Sequence, residues 1–305
     1  MKQYLELLEK IMKDGTDGPD RTGTGTRSIF GHQMRFNLAA GFPLVTTRKI
    51  FFRGVVVELV WFLSGSTNTE WLNEQGVTIW NQWADDGGDL GPMYGKQWRE
   101  GNGRWDVQLD AMVNTRDQIA ELIAGLRSRP HSRRQIVSAW NLDDLPDESL
   151  SPQQNVARGK MALAPCHVLF QCYVAAGRLS LQVYQRSADV PVGVPYNIAE
   201  YALLTHLLAA QCRLQVGELV WTGGDCHVYK DQLALVDEQL RRAPRELPQL
   251  VLKRKPGTIF GYMPEDVELE GYRPHPAMKY PVSVCEGWAE STKWTEWTIW
   301  TRESR

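Results

Sequence analysis

Residues 197–214, NIAEYALLTHLLAAQCRL, read as a helix with apolar side chains on nearly every face. A helix of that kind has to be enclosed by other elements. The chain must therefore build a core thick enough to cover it. Its 305 residues allow this, being more than one average domain and less than two comfortable ones. RGVVVELVWFLSGSTN (53–68) is a second helix that demands burial, ending at Ser64–Gly65, with Glu58 inside its apolar run. No stretch approaches the roughly 20 consecutive apolar residues of a membrane span. At 43% hydrophobic and 23% charged the composition is that of a globular protein and excludes disorder, collagen and coiled coil.

Around these helices the pattern alternates between the two periods. MKQYLELLEKIMKDGT carries a helical stripe that stops at Gly15, and DRTGTGTRSIFGHQMRFNL is a turn followed by a strand. Glycine and aspartate between 84 and 103 imply a loop, 108–126 a second amphipathic helix, and 143–159 an exposed, linker-like insertion. HVLFQCYVAAGRLSLQVYQRS (167–187) reads as two strands joined at Ala176–Gly177. KDQLALVDEQLRR is a surface helix, and LPQLVLKRK a strand. With no internal repeat and no composition break, one α+β domain with a large mixed sheet is expected, followed by a distinct tail. That tail, EGWAESTKWTEWTIWTRESR, holds four of the 12 tryptophans, at 288, 294, 297 and 300, and so should dock onto something.

Charge narrows the function classes. The formal net charge of -2 gives no bulk basic field for nucleic acid. The N-terminus alternates charged and apolar residues and has no small-residue cleavage site, unlike a signal peptide. Five cysteines (Cys166, Cys172, Cys212, Cys226, Cys285), an odd number with no CxxC, imply reduced thiols in a cytosol, the host's if the chain is viral. No cluster has metal-ligand spacing, so no metal is expected.

Several residues could carry chemistry. In APCH, Cys166 is a candidate nucleophile and equally a buried small hydrophobe, while His167 faces the other side of a strand. Arg21 in DRTGTGT, Arg133 and Arg134 in HSRR, and Arg186 in QRS offer forked donors to a phosphate; surface salt bridging is the competing fate. Arg186 lies between apolar segments and so needs a fixed anionic partner. The glycines of RTGTGT do not make a Walker loop. Glu58, a carboxylate in an apolar helix, should have a raised pKa and move protons, unless it is capped or paired. Asn197 is either a planar-ring reader or the N-cap of its helix. His227 and Tyr229 share one side of an extended segment.

Together, DRTGTGT, GFPLVTT, ELVWFLSGSTN, VTIWNQWAD, DLGPMYGKQWR, HSRR, SAWN, MALAPCH, QRSADVPVGVPYNIAEYALL, WTGGDCHVY and EGYRPHP resemble the folate-dependent, cysteine-nucleophile thymidylate synthase family. The likeness covers nearly all of residues 1–284, which it implies is the catalytic domain, with 285–305 a Trp-rich extension. It implies an α+β subunit with a large mixed sheet flanked by helices, paired sheet to sheet in a homodimer, with dUMP and 5,10-methylenetetrahydrofolate as substrates and no metal.

By the same resemblance Cys166 adds to C6 of the pyrimidine, making C5 an enolate carbon that attacks the folate methylene. Hydride return then gives dTMP and dihydrofolate. Glu58 and Tyr94 manage proton movements, with Asn197 and Asp189 completing the catalytic set. Arg21, Arg186 and Ser187, with Arg133 and Arg134 from the other subunit, cradle the phosphate. His167, Gln185, Asn197, His227 and Tyr229 contact the nucleotide. Trp80, Trp83, Asp189, Val192, Gly193 and Tyr196 form the folate face.

Three departures matter. Pro191 and Val192 replace the customary Phe and Leu, Asn81 replaces an Asp, and the chain runs 21 residues past the PVSV (281–284) where the family normally stops. The family's C-terminus closes over the folate and keeps water out. Altered closure would let water capture the exocyclic methylene and release 5-hydroxymethyl-dUMP with tetrahydrofolate, the reaction of a deoxyuridylate hydroxymethylase. A third reading, from another class, makes the tail a nucleic-acid or partner-docking arm. Its Lys293, Arg302 and Arg305 against Glu286, Glu290, Glu296 and Glu303 are not basic enough to recommend nucleic acid.

Overall fold

The computed structural model describes residues 1–101, 104–106, 111–113 and 115–282, with 104–106 and 111–113 described by their backbone. Its helices are α1 (Lys2–Asp14), α2 (Phe52–Ser64), α3 (Glu70–Glu74), α4 (Tyr94–Glu100), α5 (Gln118–Ser128), α6 (Pro152–Val156), α7 (Gly193–Cys212) and α8 (Leu233–Leu240). Its strands are β1 (Thr16–Gly18), β2 (Thr26–Asn37), β3 (Arg104–Asp106), β4 (Ala111–Val113), β5 (Ile136–Ser138), β6 (His167–Ala175), β7 (Arg178–Asp189), β8 (Gln215–Tyr229), β9 (Gln249–Leu252) and β10 (Val267–Glu270).

Six strands form one mixed sheet in the order β1-β2-β8-β7-β6-β5. Only β7 and β8 run parallel in it; the other neighbours are antiparallel. A parallel pair needs a crossover, and α7 is that crossover. It packs back on both of its strands and against α2. Fourteen of its 20 residues are buried, as its all-round apolar pattern demands. On α1, Tyr4, Leu7, Leu8 and Ile11 form the buried stripe, packed on β2 and α8.

Among the described residues, no helix covers the other sheet face. Register puts Ile136 opposite Gln171 and Gln171 opposite Gln182, so Tyr173 and Tyr184, two residues on, share that face. Ile136 is 47% exposed and Tyr173 67%.

Four sequence expectations need correction. Within 84–103 the segment YGKQWRE is a helix, because Tyr94 and Trp98 bury one turn apart and Lys96 pairs with Glu100; glycine counts over the whole window hide it. The helix expected over 108–126 begins only at Gln118, where the Asp117 side chain accepts from the Ala120 N–H and caps it; β4 precedes it. The linker-like 143–159 is tied down: Ser151 and Gln154 make a capping box, Pro152 sits at N1, and Asn155 is buried against Asp147. The last helix start lies four residues early, at Gly193, so Asn197 is inside α7 and is not an N-cap. Pro195 fits there because first-turn N–H groups have no helical partner anyway. The tryptophan-rich tail lies outside the described residues.

Candidate active site

Strand directions build the site. Because β7 and β8 are parallel, their C-terminal ends lie side by side, with Ser187 opposite Asp225 and Asp189 opposite His227. Strand β6 is antiparallel to β7, so its first residue, His167, meets Gln185 at the same edge. Strand β2 is antiparallel to β8 and starts there too, Thr26 opposite Tyr229, which brings in the Asp20–Gly25 loop. Segments distant in sequence thus share one end of the sheet.

Cys166 sits just before β6, partly buried. Its N–H donates to the Tyr94 hydroxyl at 2.8 Å and its carbonyl accepts from the Arg186 N–H at 2.8 Å. The Arg186 side chain holds the preceding turn, Nε donating to the Pro165 carbonyl and Nη2 to that of Ala164, both at 2.9 Å. Its guanidinium also lies over the Trp140 ring at 5.5 Å. Burial pushes the Cys166 thiol up, the Arg186 and Arg21 guanidiniums pull it down, and Asp189 adds to the rise. The thiol is therefore protonated at rest, and those two cations are the groups that favour its thiolate.

Arg21 is carried by a loop that Asp20 organises. The Asp20 carboxylate accepts from the N–H groups of Thr22 (2.9 Å) and Gly25 (2.6 Å) and from the Thr22 hydroxyl. Gly23 and Gly25 take φ near +80°, which L side chains rarely adopt. His227 Nδ1 lies 3.0 Å from Asp225 Oδ1, and its ring meets Tyr229 edge-on at 5.2 Å, on the shared side that alternation predicts.

Glu58 is 9% exposed and accepts from Trp80 Nε1 at 2.8 Å. Burial raises its carboxyl to about 7, against which the Trp80 bond works. Trp80 touches Trp83 (5.5 Å) and Tyr94 (6.1 Å), giving a half-buried aromatic wall. Asp189 accepts from the Val192 N–H (3.1 Å) and from Gln232 (3.4 Å), and its own burial raises its carboxyl. Tyr196, Gly193 and Val192 lie at the start of α7, next to Asp189 in sequence.

Two of the residues expected to contact the nucleotide are buried against other side chains of the site. His167 is buried, stacked on Tyr94 at 4.2 Å with Nδ1 at 2.8 Å from the Tyr201 hydroxyl; burial lowers its pKa to about 3, so it is neutral. It supports Tyr94. Gln185 is 2% exposed and its amide is fully engaged: Oε1 accepts from Trp221 Nε1 (2.9 Å), and Nε2 donates to the Ser187 carbonyl (3.1 Å) and to Asn197 Oδ1 (3.0 Å). Its Nε2 thereby fixes the position of the Asn197 amide oxygen. Arg133 and Arg134 are exposed on the turn before β5 and are not among the charges acting on Cys166.

Sequence reasoning misses Tyr201, Trp221 and Gln232, whose partners only the fold supplies. It also misses Glu200, although a carboxylate inside an apolar helical run is the signal that singles out Glu58. Among the described residues no group of three or more His, Cys, Asp or Glu could hold a metal ion.

A partly buried thiol on which two guanidiniums and the Asp189 carboxyl act fits a class: enzymes that bond a cysteine sulfur temporarily to an anionic substrate. Comparison with known proteins is narrower. The thymidylate synthase family model matches residues 2–284. A thymidylate synthase from Francisella philomiragia subsp. philomiragia is 55% identical over 284 residues, 93% of this chain and all of that protein. The chain belongs to the thymidylate synthase family.

Proposed function

We propose that residues 1–284 form a methyltransferase that moves one carbon from 5,10-methylenetetrahydrofolate to C5 of dUMP, giving dTMP and dihydrofolate. The observation that carries this is Cys166, held by Arg186 and Tyr94 where four strand ends meet. Its sulfur adds to C6 of the uracil while Arg186 and Arg21 favour the thiolate. Asn197 reads the O4/N3 edge, Arg21, Arg186 and Ser187 hold the phosphate, and His227 and Tyr229 hold the sugar hydroxyl. Glu58 gives and takes the proton at O4 and C5, and Tyr94, whose phenol burial keeps protonated, fixes the nucleophile and lies beside C5.

The Trp80–Trp83 wall, with Val192, Gly193, Tyr196 and the Asp189 carboxyl beside it, suits a flat, hydrogen-bonding pterin. That group supplies the carbon unit and then a hydride; the chain's residues orient it and exclude water. A homodimer is supported by the uncovered sheet face carrying Ile136, Tyr173 and Tyr184, where Arg133 and Arg134 would serve the partner's phosphate site. No helix among the described residues is long and apolar enough to cross a membrane, consistent with work in the cytoplasm.

The hydroxymethylase reading, raised by Pro191, Val192 and the extension, is not favoured: the family match runs to residue 284 and the 55% relative is a thymidylate synthase over its whole length. A nucleic-acid or partner-docking role rests on the tail alone. Product analysis with dUMP and methylenetetrahydrofolate decides. Equimolar dTMP and dihydrofolate are expected, and tetrahydrofolate with a hydroxymethyl nucleotide refutes the assignment.

A further inference from the structure

The turn from β7 into α7, residues 189–192, carries Asp189 and Val192 of the folate face proposed above. Two side chains from elsewhere in the chain tie this turn to residues 280 and 281. One is Arg48, which is buried. Its Nη2 donates to the Pro191 carbonyl, and its guanidinium lies over the Tyr280 ring at 5.2 Å. The Tyr280 hydroxyl donates in turn to Gln239 Oε1 at 2.7 Å, and Gln239 Nε2 donates to Thr47 Oγ1 at 2.9 Å. Residue 280 is thereby fixed both to α8 and to the segment before α2.

The other is Gln232, fully buried on the short turn that follows β8. Its amide has three partners. Oε1 accepts from the Tyr229 N–H at 3.1 Å, while Nε2 donates to the Pro281 carbonyl at 3.0 Å and to Asp189 Oδ2 at 3.4 Å. A backbone N–H only donates and a carbonyl only accepts, so this amide has one orientation. Turned over, it would set its NH2 against the Tyr229 N–H and its oxygen against two other oxygens. On Asp189 the Val192 N–H occupies Oδ1 at 3.1 Å and Gln232 occupies Oδ2, so the two donors fix the plane of the carboxyl. Each oxygen keeps a lone pair for a further donor such as a pterin N–H.

We propose that Gln232 is a positioning residue for the folate: its two amide hydrogens hold the Asp189 carboxyl and the Pro281 carbonyl in one fixed arrangement, which presents Asp189 to the pterin. Arg48 ties the same turn to the neighbouring residue, Tyr280, so the folate face and residues 280–281 are joined at two independent points. The acceptor side of Gln232 faces Tyr229, on the nucleotide side, and the donor side serves the folate. This rests on Asp189 as part of the folate face in the function proposed above.

The test is steady-state kinetics of the full chain and two variants, with dUMP titration as the check on folding. Gln232→Glu keeps an oxygen for the Tyr229 N–H and loses the donors to Asp189 and Pro281. Its KM for methylenetetrahydrofolate should rise at least about tenfold, while kcat and the dUMP dissociation constant stay within about threefold of wild type. Gln232→Met, of similar length, loses the same donors without burying a charge, and should raise the folate KM by more than it weakens dUMP binding. In an Asp189→Ala background Gln232→Met should add less than about threefold to the folate KM, because both changes act through one carboxyl. A folate KM within about threefold of wild type overturns the proposal. Equal weakening of folate and dUMP, losses that multiply in the Asp189→Ala background, or failure of both variants to bind dUMP marks a merely structural role and overturns it too. All of these outcomes leave dTMP synthesis by the wild type standing, whereas a wild type that makes no dTMP refutes the function itself.

Discussion

Asn197 can read a uracil edge only if its amide is the right way round, and the structure shows what sets it. An indole N–H only donates. Trp221 therefore fixes Gln185 with Oε1 toward the indole, which turns Nε2 toward Asn197 and fixes Oδ1 there. Asn197 Nδ2 is left to donate to a carbonyl such as uracil O4, while Oδ1 has a second lone pair for N3–H. Turning Asn197 over would set donor against donor. That loses a net hydrogen bond, about 1 kcal/mol, and strands a buried donor, about 1–3 kcal/mol. Taking the low end, about 2 kcal/mol, the relay contributes roughly 30-fold to the preference for dUMP over dCMP. Gln185→Leu removes it, because both amide orientations then meet the same apolar group. Dissociation constants for dUMP and dCMP, titrated on the same protein, should show their ratio falling roughly 30-fold. Trp221→Phe, which touches no substrate, should move the ratio the same way by less. A ratio within about threefold of wild type in Gln185→Leu refutes the relay.

Cys166→Ser should lose turnover while its dUMP dissociation constant stays within about threefold of wild type, as binding does not need the thiolate; retained turnover removes the covalent route. Glu58 gives up its proton near 4.5 when unfolded and at about 7 when folded. Its contribution to stability is thus complete below 4.5 and lost as pH rises through about 7. Glu58→Gln should therefore raise Tm more at pH 8 than at pH 4, with activity lost, and equal shifts at both pH values contradict that sign. At Gly224 a Cβ would lie 2.8 Å from the Arg186 carbonyl and 3.0 Å from the Tyr184 hydroxyl. Gly224→Ala should cost about 1–3 kcal/mol, read from thermal unfolding, and lower kcat by displacing Arg186.

Local order was legible where period and punctuation agreed. The β6–β7 hairpin turns at Ala176–Gly177, both at positive φ, and α2 ends at Gly65, as their patterns imply. Helix α4 was hidden because its seven residues sit among glycines, and the start of α7 because Pro195 reads as a turn although a first helical turn accepts it. Motif resemblance named the site residues, but their order in depth came from the fold. His167 follows Cys166 directly and yet lies behind Tyr94, because successive strand residues point to opposite faces. That four strand ends share one edge depends on the single parallel pairing of β7 with β8, a long-range choice no local window contains.

The same pairing also gives the site its electrical direction. Arg21 and Arg186 come from the loop before β2 and the end of β7, on the strand side of Cys166. Of the carboxyls that burial holds toward their neutral form, Glu58 and Glu200 come from α2 and α7, while Asp189 ends β7. A ligand with a dianionic phosphate at one end is expected to turn that end toward the two guanidiniums, since the reverse would put the phosphate among the helix-borne carboxyls. Charge would then orient the ligand, and Asn197, held by Gln185 and through it by Trp221, would be left to discriminate between rings presented to the sulfur.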